Sequence, residues 1–176
     1  MSRETDNELV SRCLEGDQRA YGELIDRYQK PVFNHALRTL GDERDAEDVT
    51  QNVFMKAYQH LANFNPDYKF FSWVYRIAIN ETINAAKRKR RHDALDDADA
   101  PTFFVDRDSE QEVLEGLWQL GAEDRALVLL KHFEGFSYAE IEYIMDVPLK
   151  TVKSRLYTAR QRLKDILTRE RRIQND

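Results

Sequence analysis

The sequence predicts an all-α protein of two small helical domains joined by a flexible acidic linker. Three observations predict it. Glycine and proline are scarce, at 6 and 4 of 176 residues, while Leu, Ala, Glu, Arg and Lys abound, which favours helix throughout. Apolar residues recur at three- and four-residue spacing in successive segments, the period of one helix face. The stretch from His92 to Asp108 breaks that pattern, with six aspartates, one proline and no apolar stripe. The expected boundaries are therefore residues 1–91, a linker at 92–108, and residues 109–176. Fully extended, 17 such residues reach about 60 Å.

In chain order, Asp6 is positioned to cap a first helix through Leu14, with Gly16 as its stop. Asp17 can cap a longer second helix whose apolar set runs from Ala20 and Tyr21 to Leu37 and Leu40. Pro31 falls inside it, so a kink or a break is expected there. Gly41-Asp42 ends it. The segment Asp45 to Leu61 opens with acidic residues, which suit the positive end of a helix dipole. Val49, Val53, Ala57 and Leu61 form its buried stripe beside Phe54. Its other face shows Glu47, Asp48, Gln51, Asn52 and Met55; a polar surface with an exposed Met can be an interface, but the spacing alone favours a solvated face.

The next stretch holds six aromatics, Phe64, Tyr68, Phe70, Phe71, Trp73 and Tyr75. Asn65-Pro66-Asp67 is turn chemistry, so a loop leads into a helix starting near Phe70 or Ser72 and running to Arg91. Aromatic rings beside a basic helix with amides at Asn80 and Asn84 fit capture of single-stranded bases, which stack on such rings. The competing reading is that most of these rings are core. After the linker, Val113, Leu114, Leu117, Trp118, Leu120 and the run Ala126–Leu130 supply a second core, with Gly121 and Gly135 at the joints.

Glu134 to Leu167 reads as two helices joined by a tight turn. Ser137 and Glu140 form a capping box. Asp146-Val147-Pro148 ends the first helix. Val152, Leu156, Ala159, Leu163 and Ile166 line one face of the second. Its opposite face carries Lys150, Lys153, Ser154, Arg155, Tyr157, Thr158, Arg160 and Arg162. This is the layout of a helix-turn-helix, whose second helix enters the major groove and whose Arg, Lys, Ser and Thr side chains meet base edges or phosphates. A solvated helical hairpin has the same periodicity.

The net charge of −5 argues against nucleic acid, but its distribution reverses that inference. Residues 1–62 sum to −4, residues 63–91 to +5, residues 92–148 to −12 and residues 149–176 to +6. A polyanion can thus be bound twice and repelled elsewhere, leaving the acidic surfaces to meet something other than DNA. The single cysteine, Cys13, lies on an apolar helix face and excludes an internal disulfide. No signal-peptide core and no membrane-length apolar run appears, so a cytoplasmic location is expected. No phosphate-binding glycine loop, metal-ligand spacing or nucleophile motif appears, and His35, His60, His92 and His132 are scattered. No enzyme, metal, cofactor or small-molecule substrate is expected.

Nearly the whole chain resembles the extracytoplasmic-function (ECF) group of sigma-70 family RNA polymerase sigma factors. DAEDVTQNVFMKAY resembles that family's region 2.2, NFNPDYKFFSWVYRIAINETIN its regions 2.3 and 2.4, and EGFSYAEIEYIMDVPLKTVKSRLYTARQRL its region 4. The resemblance implies that Glu47, Asp48, Gln51, Asn52 and Met55 dock on the β′ clamp helices of core RNA polymerase. It implies that the Phe64–Phe71 loop and the following helix open and read the promoter −10 element. Phe64 and Asn80 would hold a flipped base, Trp73 and Tyr75 support melting, and Arg76, Asn84, Lys87 and Arg88 hold backbone. In the last helix, Lys153, Ser154 and Tyr157 would face −35 bases, with Thr151, Arg155 and Arg160 nearer phosphate. The second domain would also touch the β flap, and an anti-sigma factor, in some members membrane-bound, would restrain the protein. The chain departs from the family pattern at Gly121-Ala122, where Leu-Pro is usual. It departs again at Lys150, where Gly is usual, and at Thr158, often basic; these bear on the −35 sequence read. The rival from another class is a stand-alone helix-turn-helix regulator, and a protein-binding adaptor is a third. The aromatic loop argues against the first and the two basic segments against the second.

Overall fold

The structure is a computed structural model that describes residues 4–93 and 108–174. Among the described residues every regular element is helical. The first unit comprises α1 (Asp6–Leu14), α2 (Gln18–Leu40), α3 (Glu43–Gln59), a 3-10 turn (Leu61–Asn63) and α4 (Phe70–Asp93). The second comprises α5 (Asp108–Trp118), α6 (Ala122–Val128), a π turn (Leu129–Phe133), α7 (Tyr138–Met145) and α8 (Leu149–Gln174). The expected linker lies, over residues 94–107, outside the described residues.

Local chemistry sets most of the boundaries. The cap of α1 is Thr5 rather than Asp6: Thr5 and Glu8 make a reciprocal capping box. Asp6 instead takes the Arg27 guanidinium at 2.8 Å and the Tyr28 hydroxyl, tying α1 to α2. Asp17 caps α2 as expected. Pro31 does not break α2, which runs unbroken for 23 residues. The break expected there is corrected: Val32, His35 and Ala36 beyond the proline are fully buried, and that packing holds the helix together across it. Gly41 ends α2 at φ 64°, a left-handed conformation that suits glycine. Asp42 then caps α3, which starts two residues before the sequence suggested and yields to the 3-10 turn at Leu61.

The first core is α2, α3 and α4 packed on one another, with α1 laid against α2. Phe70 and Tyr75 are among its largest fully buried side chains. The predicted stripe of Val49, Val53, Ala57, Leu61 and Phe54 is buried throughout. In the second unit Ser137 and Glu140 make the expected capping box. The turn passes through Asp146 at φ 54°, and α8 leaves with Val152, Leu156 and Ala159 buried. Farther along, α8 packs on α5 at Gly116. A Cβ there would meet Leu167 at 2.9 Å and Leu163 at 3.0 Å.

The two units touch. Helix α4 packs on α7 and α6, and α2 packs on α6.

Candidate nucleic-acid interface

On α4, Trp73, Arg76, Asn80, Asn84, Lys87 and Arg88 fall three or four residues apart and so share one stripe. Asn80, Asn84, Lys87 and Arg88 are exposed, while Trp73 and Arg76 are half-buried. The loop before the helix is shaped by Asn65, whose side chain accepts the Asp67 N–H at 3.0 Å. Phe64 lies almost buried, edge-on to Phe70 at 5.5 Å and tilted against Trp73 at 5.5 Å. Tyr75 is 1% exposed, and its hydroxyl donates to the Pro31 carbonyl at 3.0 Å. Burial pushes its phenol pKa well above the ordinary value. Of the eight side chains expected at the −10 element, the structure thus brings four together in the open. Phe64 and Tyr75 are turned into the core.

On α8, Lys153, Ser154, Tyr157 and Arg160 are exposed, with Tyr157 at 66%. Thr151 and Arg155 are half-buried. Arg155 turns inward to α6, 3.0 Å from Glu123 and 3.1 Å from Asp124. The Ser154 hydroxyl donates to the Thr151 carbonyl at 3.1 Å. The outward face remains a row of Lys, Tyr and Arg on a helix seated by its apolar stripe.

The third expected surface is on α3. Glu47, Asp48, Gln51, Asn52 and Met55 are all exposed. Gln51 and Met55 line a groove of about 490 Å³ between α2 and α3, floored by Tyr21, Ile25 and Phe54 and bordered by Tyr58. The Tyr21 hydroxyl donates to the Phe54 carbonyl and fixes that floor.

Several residues that shape these faces escaped the sequence reading. Glu123 sits between Lys87 at 2.8 Å and Arg155 at 3.0 Å. Lys87, and then Arg155, hold its carboxyl below the usual range. Asp146 meets Arg76 at 2.9 Å and Glu140 meets Lys69 at 2.7 Å. His35, fully buried in α2, meets Glu134 at 2.6 Å. Arg125 is 5% exposed; it donates to carbonyls of Leu117, Trp118, Leu120 and Thr39 and stacks on the Trp118 ring at 4.1 Å. Apart from the Arg125 bonds to Leu117, Trp118 and Leu120, these pairs join residues 32 to 99 positions apart, which no periodicity reports. The one available signal was the opposite charge of residues 63–91 and 92–148.

Among the described residues no helix is long and apolar enough to cross a membrane. The Sigma-70 region 2 family model matches residues 24–92, and the Sigma-70 region 4 model matches residues 110–163. The RNA polymerase sigma-H factor of Pseudomonas aeruginosa is 36% identical over 179 residues, covering 92% of this chain and 93% of that protein. The ECF RNA polymerase sigma-E factor of Escherichia coli K12 is 33% identical over 175 residues, covering 89% and 91%. Among solved structures, CnrH in complex with the cytosolic domain of CnrY aligns at a TM-score of 0.70 with 27% identity, covering 94% of this chain and 98% of that one. The sigma factor RpoE in complex with the anti-sigma factor NepR, from Bartonella quintana, shares the fold at a TM-score of 0.68 and 24% identity, covering 84% and 96%. With both family regions matched in order, and full-length relatives above 30% identity, the chain belongs to the ECF group of sigma-70 family sigma factors.

Proposed function

We propose that this chain binds core RNA polymerase and directs transcription initiation at promoters, reading the −35 element as duplex through α8 and the melted −10 element through α4. The observation that supports this most is the pairing of two basic helices with two matched regions. The α4 stripe of Arg76, Asn80, Asn84, Lys87 and Arg88 falls within the region 2 match, and the α8 row of Lys153, Ser154, Tyr157 and Arg160 within the region 4 match. Cations at helical spacing hold phosphates, amides read base edges, and exposed Lys or Arg on a recognition helix pair with guanine edges.

In this reading residues 1–91 bind polymerase and the −10 element, residues 92–108 link, and residues 109–176 read the −35 element. Asn80 holds the flipped base, Asn84, Lys87, Arg88 and Arg76 follow the backbone, and Trp73 supports melting. Phe64 and Tyr75 act from within, as the packed base on which the loop and α4 stand. The α3 face from Glu47 to Met55, with its apolar groove, takes the β′ clamp helices. A second groove of about 550 Å³, lined by Val113, Phe133, Leu163 and Leu167 among others, suits the β flap. The polymerase supplies the chemistry, and the chain works in the cytoplasm. The likeness to CnrH, solved with a protein partner bound, supports an anti-sigma partner here.

The test is run-off transcription with sigma-free core polymerase, the purified chain and a library of promoter fragments. Starts that depend on the chain are expected, and their sequences would give the two elements. Tight duplex binding without any initiation would instead favour the stand-alone regulator.

A further inference from the structure

Two arginines of α8 turn toward α6 instead of joining the open row. Arg155 Nη2 donates to Glu123 Oε2 at 3.0 Å and to Asp124 Oδ1 at 3.1 Å. Arg162 Nη1 donates to Asp124 Oδ2 at 3.1 Å. Asp124, half-buried in the first turn of α6, thus gives one carboxylate oxygen to each arginine. Arg155 and Arg162 stand two turns apart and so lie on the same side of α8. By the same spacing they run along one flank of the buried stripe of Val152, Leu156 and Ala159, and Lys153, Tyr157 and Arg160 fall on the other. The support behind Asp124 is rigid. Ala126, Leu127 and Val128 of α6 are buried, and Arg125 ties the helix to the Leu117, Trp118 and Leu120 carbonyls.

We propose that Asp124, helped by Glu123, is a positioning residue that sets the roll of α8 about its own axis and thereby which −35 sequence the helix prefers. This deepens the function proposed above and rests on α8 reading duplex DNA. An apolar stripe decides which side of a helix is buried, but its contacts are non-directional and resist a small roll weakly. Charge-assisted hydrogen bonds at two points along one flank are directional and resist it. A roll of about 20° carries side chains at the helix surface through about 2 Å. That parts a base-edge hydrogen bond, made at about 2.7–3.2 Å. Phosphate contacts carry no sequence information, so a misaimed helix loses discrimination before it loses grip. Arg155, expected nearer phosphate, acts instead from inside the unit. Glu123 also holds Lys87 at 2.8 Å, so Asp124, whose two arginines both belong to α8, is the residue to change.

The test uses holoenzyme reconstituted from sigma-free core polymerase and the full chain. The templates are a promoter found by run-off and copies with single base-pair changes in its −35 element, and open-complex formation is followed across a salt series. Asp124→Ala should lower the preference for the original −35 element over the changed copies by about threefold or more, with little loss on the copies themselves. Arg155→Gln should lower the preference in the same way. Its salt slope should move by less than half of the roughly 0.9 that one phosphate contact contributes. The double variant should lose less than the product of the two single losses, because both remove one shared interaction. An Asp124→Ala chain with the parent's preference would overturn the proposal. So would a loss equal on every −35 sequence, which marks damage to the fold, or an Arg155→Gln slope that falls by about 0.9, which marks a phosphate contact. If the parent chain directs no initiation, the sigma-factor reading itself fails and the proposal falls with it.

Discussion

Arg125→Met tests the best-connected buried group in the second unit. Wild-type Arg125 donates from Nε to Leu117 at 3.1 Å, from Nη1 to Thr39, and from Nη2 to Trp118 at 2.9 Å and Leu120 at 3.2 Å. The Leu117 carbonyl also accepts the Leu120 N–H at 3.0 Å, so the loss is reckoned on the Thr39 and Leu120 carbonyls and on the cation stacked over the Trp118 ring. At about 1–3 kcal/mol for each stranded acceptor and about 2 kcal/mol for the lost stacking, the gross loss is about 4–8 kcal/mol. Removing the cation returns part of this. Burial holds the guanidinium pKa down from 12.5 to about 10, a burial cost of roughly 3 kcal/mol. The net expected loss is about 3 kcal/mol, read by urea unfolding followed by far-UV circular dichroism. Arg125→Lys sharpens the prediction. Lysine keeps the charge and its burial cost, yet its compact ammonium cannot span carbonyls contributed by residues 39, 117, 118 and 120. The lysine variant should therefore be no more stable than the methionine variant. A lysine variant within about 1 kcal/mol of the parent would refute the argument from the planar fork.

Three further outcomes are expected. The Glu140 carboxyl is held down to about 2 from 4.5, first by the Lys69 ammonium and then by the Ser137 capping bonds. A carboxyl depressed on folding contributes stability that is complete above about 4.5 and lost as pH falls toward 2. Glu140→Gln should therefore flatten the acid limb of a stability-against-pH curve in that window; an unchanged limb would mean that the pair with Lys69 does not form. Gly116→Val should lower stability by about 1–3 kcal/mol through crowding of Leu163 and Leu167. Gly116→Ala should stay within about 1 kcal/mol, because those leucine ends can yield and alanine favours helix. Asn80→Ala should weaken open-complex formation by about 1–3 kcal/mol, and Lys153→Ala should cost about as much at the −35 element. Core-polymerase binding should survive both substitutions, and its equal loss in either would make that residue structural.

The helices were legible because their signals are local. Ser137 and Glu140 announce a helix start in four residues, and the stripe from Val49 to Leu61 needs one period to be seen. The same logic would have moved the first cap from Asp6 to Thr5, since Thr5 and Glu8 carry the box pattern. Pro31 misled because its cost is local while the packing that overrides it is tertiary. The exposed row on α8 was visible as charge opposite an apolar face. The burial of Tyr75 and Phe64 was not, because an aromatic-rich stretch reads alike whether its rings face a base or a core. Least visible were Arg125, Glu123 and Glu134, acidic and basic residues in an ordinary-looking stretch, each given its role by a group far off in sequence.

The packing of α8 on α5 has a mechanical consequence. Helix α8 is 26 residues long, about 39 Å from end to end. Its reading row lies in the first half, but it is braced in the second, where Leu163 and Leu167 press on Gly116. The helix is therefore a lever with its fulcrum near Val152. From there to Leu167 is about 22 Å, so displacing the far end by about 1 Å swings the near end through roughly 3°. Helix α5 meets α8 at Gly116, so a displacement of α5 arrives at the long arm of the lever. On the function proposed above, the aim of a −35 reading helix is thus trimmed from a point that never touches DNA.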